Sequence, residues 1–259
     1  MRKHRPWPPG PIGGLLVSAA LPLVIWYAAS SLGGIGSFLL PSPTEVFKTL
    51  LSLLGSGELP RHVFVSLYRV LQGFLVSSLA GVMLGTLLGL SRGLRACLGP
   101  LLEFMRHIPP LAVLPLFILW LGIGEASKVA VIVAASFFPV FLSTVHGVAG
   151  ADKRLVEVGK AFGVSDFRIV TRIVLPCAMG PIMAGLRLGL GYGWRSLIGA
   201  ELVAASSGLG YLINDAQAML RTDVILAGVV VLGLIGGLTD RVFTALLGRL
   251  GYLEEADES

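Results

Sequence analysis

Long apolar stretches separated by short polar segments dominate the pattern of this 259-residue chain. An α-helix needs ~20 apolar residues to cross a hydrocarbon core of ~30 Å. We therefore predict about six membrane-spanning helices, near residues 12–30, 65–90, 98–123, 129–148, 178–205 and 224–247. The third is interrupted by Pro109, Pro110 and Pro115, and prolines remove backbone donors and bend helices.

The first apolar stretch has two interpretations. A basic start, an apolar run and small residues near Ala28 to Ser30 are also typical of a cleaved secretory signal. The run from Ile12 to Ser30 is long enough to span, however, and Trp26 and Tyr27 lie where interfacial aromatic residues are common. We favour a retained span over a cleaved signal.

A shorter amphipathic pattern lies between the first two stretches. Pro41 and Pro43 break the chain there. Apolar residues then recur at helical spacing, at Val46, Phe47, Leu50, Leu51 and Leu54. This pattern predicts an amphipathic helix that lies on the outer face of the membrane.

The composition agrees with an all-α integral membrane protein. Hydrophobic residues make up 54% of the chain and charged residues only 14%, whereas a soluble domain carries about a quarter charged residues. The net charge of +5 does not predict nucleic-acid binding, because the basic residues form short clusters between apolar runs. Neither the two cysteines nor the isolated His107 and His146 have metal-ligand spacing. We predict no metal, no cofactor and no catalytic residues.

The distribution of basic residues predicts the orientation. If the N-terminus is inside, twelve of the twenty Lys and Arg residues fall in inner segments and four in outer loops. Cytoplasmic segments carry the excess of Lys and Arg in membrane proteins. Both termini are therefore predicted to be cytoplasmic, and so is the charged stretch after the fourth span.

That stretch, EVGKAFGVSDFRIVTRIVLP, runs from Glu157 to Pro176 and is amphipathic. Asp152 can cap a helix that starts at Lys153, and Gly163 is suited to end it. Ser165 can cap a second helix, which Pro176 is predicted to end. Periodicity alone favours a surface hairpin that only covers the membrane interface.

The spacing of Glu157, Gly163 and Ile173-Val-Leu-Pro176 resembles the cytoplasmic motif of ABC importer permeases: E-A-A, three residues, G, nine residues, I-x-L-P. Val158 and Gly159 stand where that family prefers two alanines. Other segments, such as RHIPPLAVLPLFILWLGIGEASKV and GAELVAASSGLGYLI, are similar to permeases for nitrate, taurine and aliphatic sulfonates. The sulfonate and taurine permeases resemble this chain most.

The resemblance implies a type I ABC importer permease fold with a cytoplasmic coupling helix that docks on an ATPase subunit. The coupling residues that it implies are Glu157, Gly159, Ala161, Gly163, Ile173, Leu175 and Pro176. It also implies a homodimer, a dimer of ATPase subunits and a periplasmic or extracellular substrate-binding protein. The chain has no G-x-x-x-x-G-K-[ST] phosphate loop, so ATP would be hydrolysed by another subunit.

Two spans carry small residues at four-residue spacing, Gly81, Gly85 and Gly89 in one and Gly185, Gly189 and Gly193 in the other. Such ridges let helix backbones pack closely. Opposite the second ridge, Arg187, Trp194 and Glu201 recur every seven residues. We consider these three, with Arg106 beside the proline pair, as candidates for a translocation pathway. The alternative is that Arg187 and Glu201 reach opposite membrane interfaces.

The sequence thus predicts a cytoplasmic tail (1–11), a transmembrane permease domain (12–250) with its coupling segment (152–176), and an acidic cytoplasmic tail (251–259). The expected function is the permease subunit of an ATP-driven importer in the bacterial plasma membrane. Its cargo would be a small anion such as an aliphatic sulfonate, taurine or nitrate. The alternative is an ion-gradient-driven secondary transporter or channel, whose proton or ion carriers would be intramembrane carboxylates such as Glu201 and Glu103.

Overall fold

The structure, a computed structural model, describes residues 12–32, 36 and 38–249. The predicted tails, 1–11 and 251–259, lie outside the described residues. The described part of the chain is helical and contains no strand. Its α-helices are α1 (Ile12–Leu32), α2 (Pro43–Gly55), α3 (Glu58–Leu90), α4 (Arg92–Arg106), α5 (Leu114–Leu121), α6 (Glu125–Ala149), α7 (Lys153–Ala161), α8 (Asp166–Ile169), α9 (Leu175–Ala204), α10 (Leu209–Ala218) and α11 (Thr222–Arg249).

Most of the predicted spans are confirmed as long apolar helices. Four segments are long and apolar enough to cross a membrane: α3, α6, the continuous helix from Asp166 to Ala204, and α11. The first predicted span coincides with α1, and its crossing of the membrane stays a prediction. The sequence patterns did not identify α10, which follows the loop after α9.

The third predicted span is a broken pair of helices. It consists of α4 and the segment Pro110–Leu121, which meet at an angle of 86°. Pro109 precedes a short 3₁₀ turn, Pro110–Val113, and Pro115 occupies the first turn of α5, where its missing N–H needs no partner. The three prolines thus turn the chain sharply and restart the helix.

The described chain divides into two compact units. The smaller consists of the described residues up to Pro60 together with Leu212–Val230. In it, α2 begins with a capping box between Ser42 and Glu45, and Thr49 donates a hydrogen bond of 2.7 Å to Asp223 at the start of α11. The amphipathic helix predicted after the first span is therefore confirmed as a helix, with Val46 on its buried side.

The larger unit comprises Arg61–Tyr211 and the rest of α11, and α6 lies at its centre. The glycine ridge of α3 packs on α6. A Cβ atom added to Gly85 would lie 2.6 Å from Cβ of Thr144 and 2.8 Å from the carbonyl oxygen of Phe141. At Gly89 it would lie 2.6 Å from Cβ of Val148. Only glycine allows this separation of the two helices.

The glycine ridge of α9 packs on the same helix from another side. A Cβ atom at Gly185 would lie 2.5 Å from Cβ of Ser143 and 2.9 Å from the carbonyl oxygen of Pro139. At Gly189 it would lie 3.0 Å from the carbonyl oxygen of Ser136. Both glycine ridges are therefore packing surfaces, as their spacing predicts.

These contacts generate a prediction for glycine substitutions. Gly185→Ala forces a Cβ atom against the α6 backbone, and overpacking of this kind costs roughly 1–3 kcal/mol. Gly233→Ala on α11 meets no atom within 4 Å and gains helix propensity worth up to ~1 kcal/mol. Thermal unfolding in detergent should show a lower melting temperature for Gly185→Ala and an unchanged or higher one for Gly233→Ala. Equal melting temperatures for the two variants would contradict the close packing.

Candidate functional site

The charged hairpin after α6 begins as the sequence predicts, with a helix that Asp152 caps. The carboxylate of Asp152 accepts a hydrogen bond of 2.8 Å from the backbone N–H of Arg154 and caps α7. The helix ends two residues before Gly163, which has φ of +70°. The N–H groups of Gly163 and Val164 donate to the carbonyl oxygens of Lys160 and Gly159 at 2.9 and 3.0 Å. This is a Schellman motif, which favours glycine at its left-handed position.

The departure at Gly159 from the family pattern has a packing reason. Gly159 is buried, and a Cβ atom there would lie 3.2 Å from Cδ1 of Ile173 and 3.3 Å from Cγ1 of Ile169. Contacts this short are tighter than ordinary van der Waals contacts. The glycine lets α7 approach α8 and the segment after it, so that the side chains of Ile169 and Ile173 pack directly on α7.

The outer side of α7 is apolar and open to solvent. Leu155, Val158 and Phe162 are all exposed, Phe162 to 83%, and they follow one another at helical spacing. Phe167, across the turn, is 78% exposed. Among the other residues implied by the resemblance, Glu157 and Ala161 are also exposed. An apolar stripe of this kind on a polar hairpin is typical of a surface that docks on another protein.

The prediction that Pro176 ends the second helix of the hairpin is wrong. The helix continues without a break from Asp166 to Ala204, through a π-helical turn at Val170–Val174. Leu175 donates its N–H to the carbonyl oxygen of Val170, five residues earlier. Pro176 lies in the first turn of α9, where the wide turn accommodates a residue without an N–H. Leu175 and Pro176 thus join the hairpin directly to the span.

A buried ion-pair network joins the helices of the larger unit at the end away from the hairpin. The sequence patterns did not identify it. Arg69 on α3 is 1% exposed. Its Nη1 lies 2.7 Å from Oε1 of Glu201 on α9, and its Nε lies 2.5 Å from Oε2 of Glu125 on α6. Nη1 also donates to the carbonyl oxygen of Ser207 at 2.6 Å. One guanidinium therefore joins three spans and the loop after α9, and Lys128 adds a second cation 3.1 Å from Glu125.

Glu201 is the buried anion of this network, and its remaining hydrogen bonds come from α3 and α10. Ser66 donates to its carboxylate at 2.8 Å, and the N–H of Gly210, near the start of α10, donates at 2.8 Å. A Cβ atom at Gly208, which has φ of +116°, would lie 2.2 Å from Oε1 of Glu201. The loop is therefore shaped around this carboxylate. Desolvation of buried charges is tolerated when hydrogen bonds satisfy them in this way.

The structure separates the three α9 residues that were predicted to share a cavity-lining face. Trp194 is 6% exposed and packs in a core cluster with Val70, Ile132 and Leu197. Glu201 is 1% exposed. Neither side chain lines an open cavity in this conformation, because α3 covers the part of the face that was expected to be wet. Only Arg187 lies open.

Arg187 lines a cavity of about 600 Å³ on the side of α9 that faces away from the glycine ridge. Its guanidinium makes a bidentate ion pair with Asp240 of α11. A second cavity, of about 380 Å³, lies next to it and shares Leu188 and Tyr192 in its wall. Arg106 lines that second cavity and forms an ion pair with Glu103, three residues before it.

A signal for the missed network was present in the sequence. Arg69 falls within the second predicted span and Glu201 within the fifth. A charge inside a span is expected to find a partner of opposite charge in the bundle, so these two residues are complementary. Ser66, Ser207 and the glycines of the loop become informative only once that pairing is known.

Comparison with known proteins identifies the family to which the chain belongs. Residues 77–252 match the family described as binding-protein-dependent transport system inner membrane component. The chain belongs to this family. As a permease of this family it has the predicted all-α membrane fold, and the matched residues include the C-terminal part of α3, the hairpin, α9 and α11.

Several relatives are similar to this permease over most of its length. A protein of Bacillus subtilis (strain 168) that is named as an aliphatic sulfonates transport permease protein, SsuC, is 39% identical over 248 residues, which are 96% of this chain and 88% of the relative. The taurine transport system permease protein TauC of Escherichia coli (strain K12) is 37% identical over 89% of this chain and 86% of its own length. The riboflavin transport system permease protein RibX of Chloroflexus aurantiacus is 35% identical over 93% and 89%.

A solved structure supports the fold. The MetNI methionine ABC transporter, in an inward-facing conformation, matches 69% of this permease and 93% of the compared chain, with a TM-score of 0.53 and 18% identity. The predicted type I ABC importer permease fold is thereby confirmed.

The buried network generates a prediction about stability. Removing one partner of a buried ion pair costs roughly 3–5 kcal/mol, because the other charge is left unpaired. We therefore expect Arg69→Met or Glu201→Gln to lower the melting temperature of the purified permease strongly. The double variant should lose less than the sum of the two single losses, because it leaves neither partner of the Arg69–Glu201 pair charged.

Glu103→Gln is the matched control, because the Arg106 and Glu103 side chains are 43% and 55% exposed and exposed ion pairs contribute only ~0–1 kcal/mol. Additive losses in the double variant, or an equally large loss for Glu103→Gln, would show that Arg69 and Glu201 do not stabilise the permease as a pair.

Proposed function

We propose that this permease is the membrane subunit of an ATP-driven importer that carries a small sulfonate-type anion across the bacterial plasma membrane. The observation that carries the ATP-driven part is the exposed apolar stripe of Leu155, Val158 and Phe162 on a charged hairpin. A soluble ATPase subunit of matching shape would cover this stripe. The π-helical turn and α9 then pass its motion into the membrane, through Ile173, Leu175 and Pro176.

The cargo is proposed from the relatives and from the charge of the open cavities. Two relatives are named for sulfonate and taurine transport. Arg187 and Arg106 place cationic side chains in adjoining cavities, and arginine suits forked oxyanions. Nitrate offers the same kind of planar contact, so it remains within the proposed substrate class.

The alternative, a transporter driven by an ion gradient, lacks support from Glu201. A carboxylate that carries a proton or ion has to alternate between two occupancies. The Glu201 carboxylate is instead held by Arg69, Ser66 and Gly210 at 2.7–2.8 Å. This pattern is typical of a structural anion, and it favours the importer.

The proposed assembly follows the family. Two copies of the permease would form a homodimer in the lipid bilayer, with two ATPase subunits on the cytoplasmic side and a substrate-binding protein on the other side. Both termini would be cytoplasmic, as the basic residues predict. The domain limits 12–250 and the coupling segment 152–176 belong to the same proposal.

The orientation is testable with single cysteines in a background without Cys97 and Cys177, both of which are exposed. Ser56 and Ser206 are proposed to lie outside and Ser165 inside, and all three are exposed. In intact cells an impermeant thiol reagent should label Ser56→Cys and Ser206→Cys, and should label Ser165→Cys only after permeabilisation. Ser127 is a poor site, because it is 0% exposed. Labelling of Ser165→Cys in intact cells would overturn the proposed orientation.

The coupling proposal predicts different outcomes for two substitutions at Gly163. Asparagine tolerates the left-handed conformation found there, whereas proline fixes φ near −65°. Gly163→Asn should therefore retain ATP-dependent uptake of taurine or ethanesulfonate in vesicles that also contain the ATPase and binding protein. Gly163→Pro should lose at least tenfold in uptake while the permease stays in the membrane. Glu157→Lys should reduce recovery of the ATPase or uncouple hydrolysis from uptake.

Wild-type vesicles without ATP, or with an ion gradient in place of ATP, are the control for the energy source. Uptake driven by the gradient alone would reject the ATP-driven importer. Full uptake by both Gly163→Pro and Glu157→Lys would reject the coupling role of the hairpin.

A further inference from the structure

The ion pair between Arg187 and Asp240 has the geometry of an oxyanion site. Nε of Arg187 donates to Oδ1 of Asp240 at 2.9 Å, and Nη2 donates to Oδ2 at 2.8 Å. Two parallel N–H···O bonds to two oxygens of one group are the contact that arginine makes with carboxylates and similar forked anions. A sulfonate presents two of its three oxygens in the same way.

This pair differs from the buried Arg69 network in its exposure. The Arg187 and Asp240 side chains are 49% and 43% exposed, and each lies within a candidate span. A charge that faces lipid inside a span costs several kcal/mol. We therefore expect the open side of the pair to border a water-filled cavity, where small solutes have access to it.

The cavity that the pair lines has room for a small organic anion and contains a second cation, Arg195. Its volume is about 600 Å³, and its wall combines apolar residues with Tyr192 and Arg195. The guanidinium of Arg195 lies 5.7 Å from the centre of the Tyr192 ring. Gly191 and Gly180, also in the wall, have no atom within 4 Å of an added Cβ. An aliphatic group can thus lie against the apolar wall while its acidic end reaches Arg187.

We propose that Asp240 is an exchangeable counter-ion, and that the sulfonate group of the substrate takes its place on Arg187 during transport. The inference rests on the proposed function and identifies the contact by which the permease itself would recognise an anion. The exchange makes binding weak, because each sulfonate contact formed requires the loss of an equivalent carboxylate contact. Weak binding suits a pathway, since a substrate that is held tightly is not released.

The same exchange gives selectivity by charge. Without a substrate, Asp240 neutralises Arg187, so a small anion that enters the cavity meets a guanidinium that already has a counter-ion. A neutral solute of the same shape has nothing with which to displace the carboxylate. Competition with Asp240 therefore restricts binding at Arg187 to anions that can make the same two-oxygen contact.

The test uses the complete permease–ATPase complex in lipid nanodiscs. Saturation-transfer NMR would measure the binding of ethanesulfonate, with neutral ethanesulfonamide as the matched probe. Asp240→Asn keeps the size of the side chain and removes the competing charge. We expect it to bind ethanesulfonate up to about fivefold more tightly, the most that a half-exposed ion pair contributes. Arg187→Gln and the double variant should both lose this binding, and no variant should change the weak signal of ethanesulfonamide.

A purely structural tie between α9 and α11 predicts a different result. Asp240→Asn would then lower the melting temperature without tightening the binding of ethanesulfonate, and that outcome would overturn the proposal. If Asp240→Asn does not assemble with the ATPase, Arg187→Lys provides the test of the exchange. A lysine keeps the charge but not the fork, so it should assemble and bind ethanesulfonate more weakly, and unchanged binding would overturn the exchange.

Uptake by the wild type separates this inference from the proposed function. ATP-dependent uptake of ethanesulfonate together with unchanged binding by Asp240→Asn would reject only the exchange. If wild-type vesicles supplied with ATP and the binding protein take up neither ethanesulfonate nor taurine, the proposed function and the exchange are both rejected.

Discussion

The close approach of α3 and α9 to α6 is the constraint on which the larger unit depends. In a bilayer the helices gain little from hiding apolar surface, so dispersion contacts between closely packed backbones have to hold them together. Gly85 and Gly185 allow those contacts by leaving no Cβ atom between the helices. The positions of the buried ion pairs at one end and of the charged hairpin at the other follow from these two helix contacts.

Two arginines on neighbouring spans show how environment decides the role of a charged residue. Arg69 is enclosed by Glu201, Glu125 and the carbonyl oxygen of Ser207, so its charge is satisfied permanently within the protein. Arg187 has one carboxylate partner and an open side. The first arrangement suits a fixed joint, because breaking it leaves a charge unpaired in a dry interior. The second suits exchange, because its open side leaves room for another anion beside the guanidinium.

Sequence reasoning succeeded where the determinants are local. Apolar run lengths predicted the spans, and the caps at Asp152 and Gly163 act through backbone groups only two to four residues away. It failed where the environment of a residue depends on segments that are distant in the sequence. Whether Trp194 faces water or protein depends on Val70 of another helix, and the loop at Gly208 is shaped by a carboxylate on α9. Pro176 was misjudged because a wide turn can accommodate a proline that an α-turn would reject.

The π-helical turn at Val170–Val174 changes the geometric relation between the hairpin and the span. A turn closed by five residues in place of four contains one residue more than an α-turn, and one residue corresponds to about 100° of rotation around a helix axis. Positions before the turn therefore point in a direction that a helical wheel drawn from α9 would misplace by about a quarter of a circle. Because the helix is unbroken from Asp166 to Ala204, a sideways push on α8 would reach α9 partly as torque. A span rotated in this way turns a different set of side chains toward its neighbours without changing its depth in the bilayer.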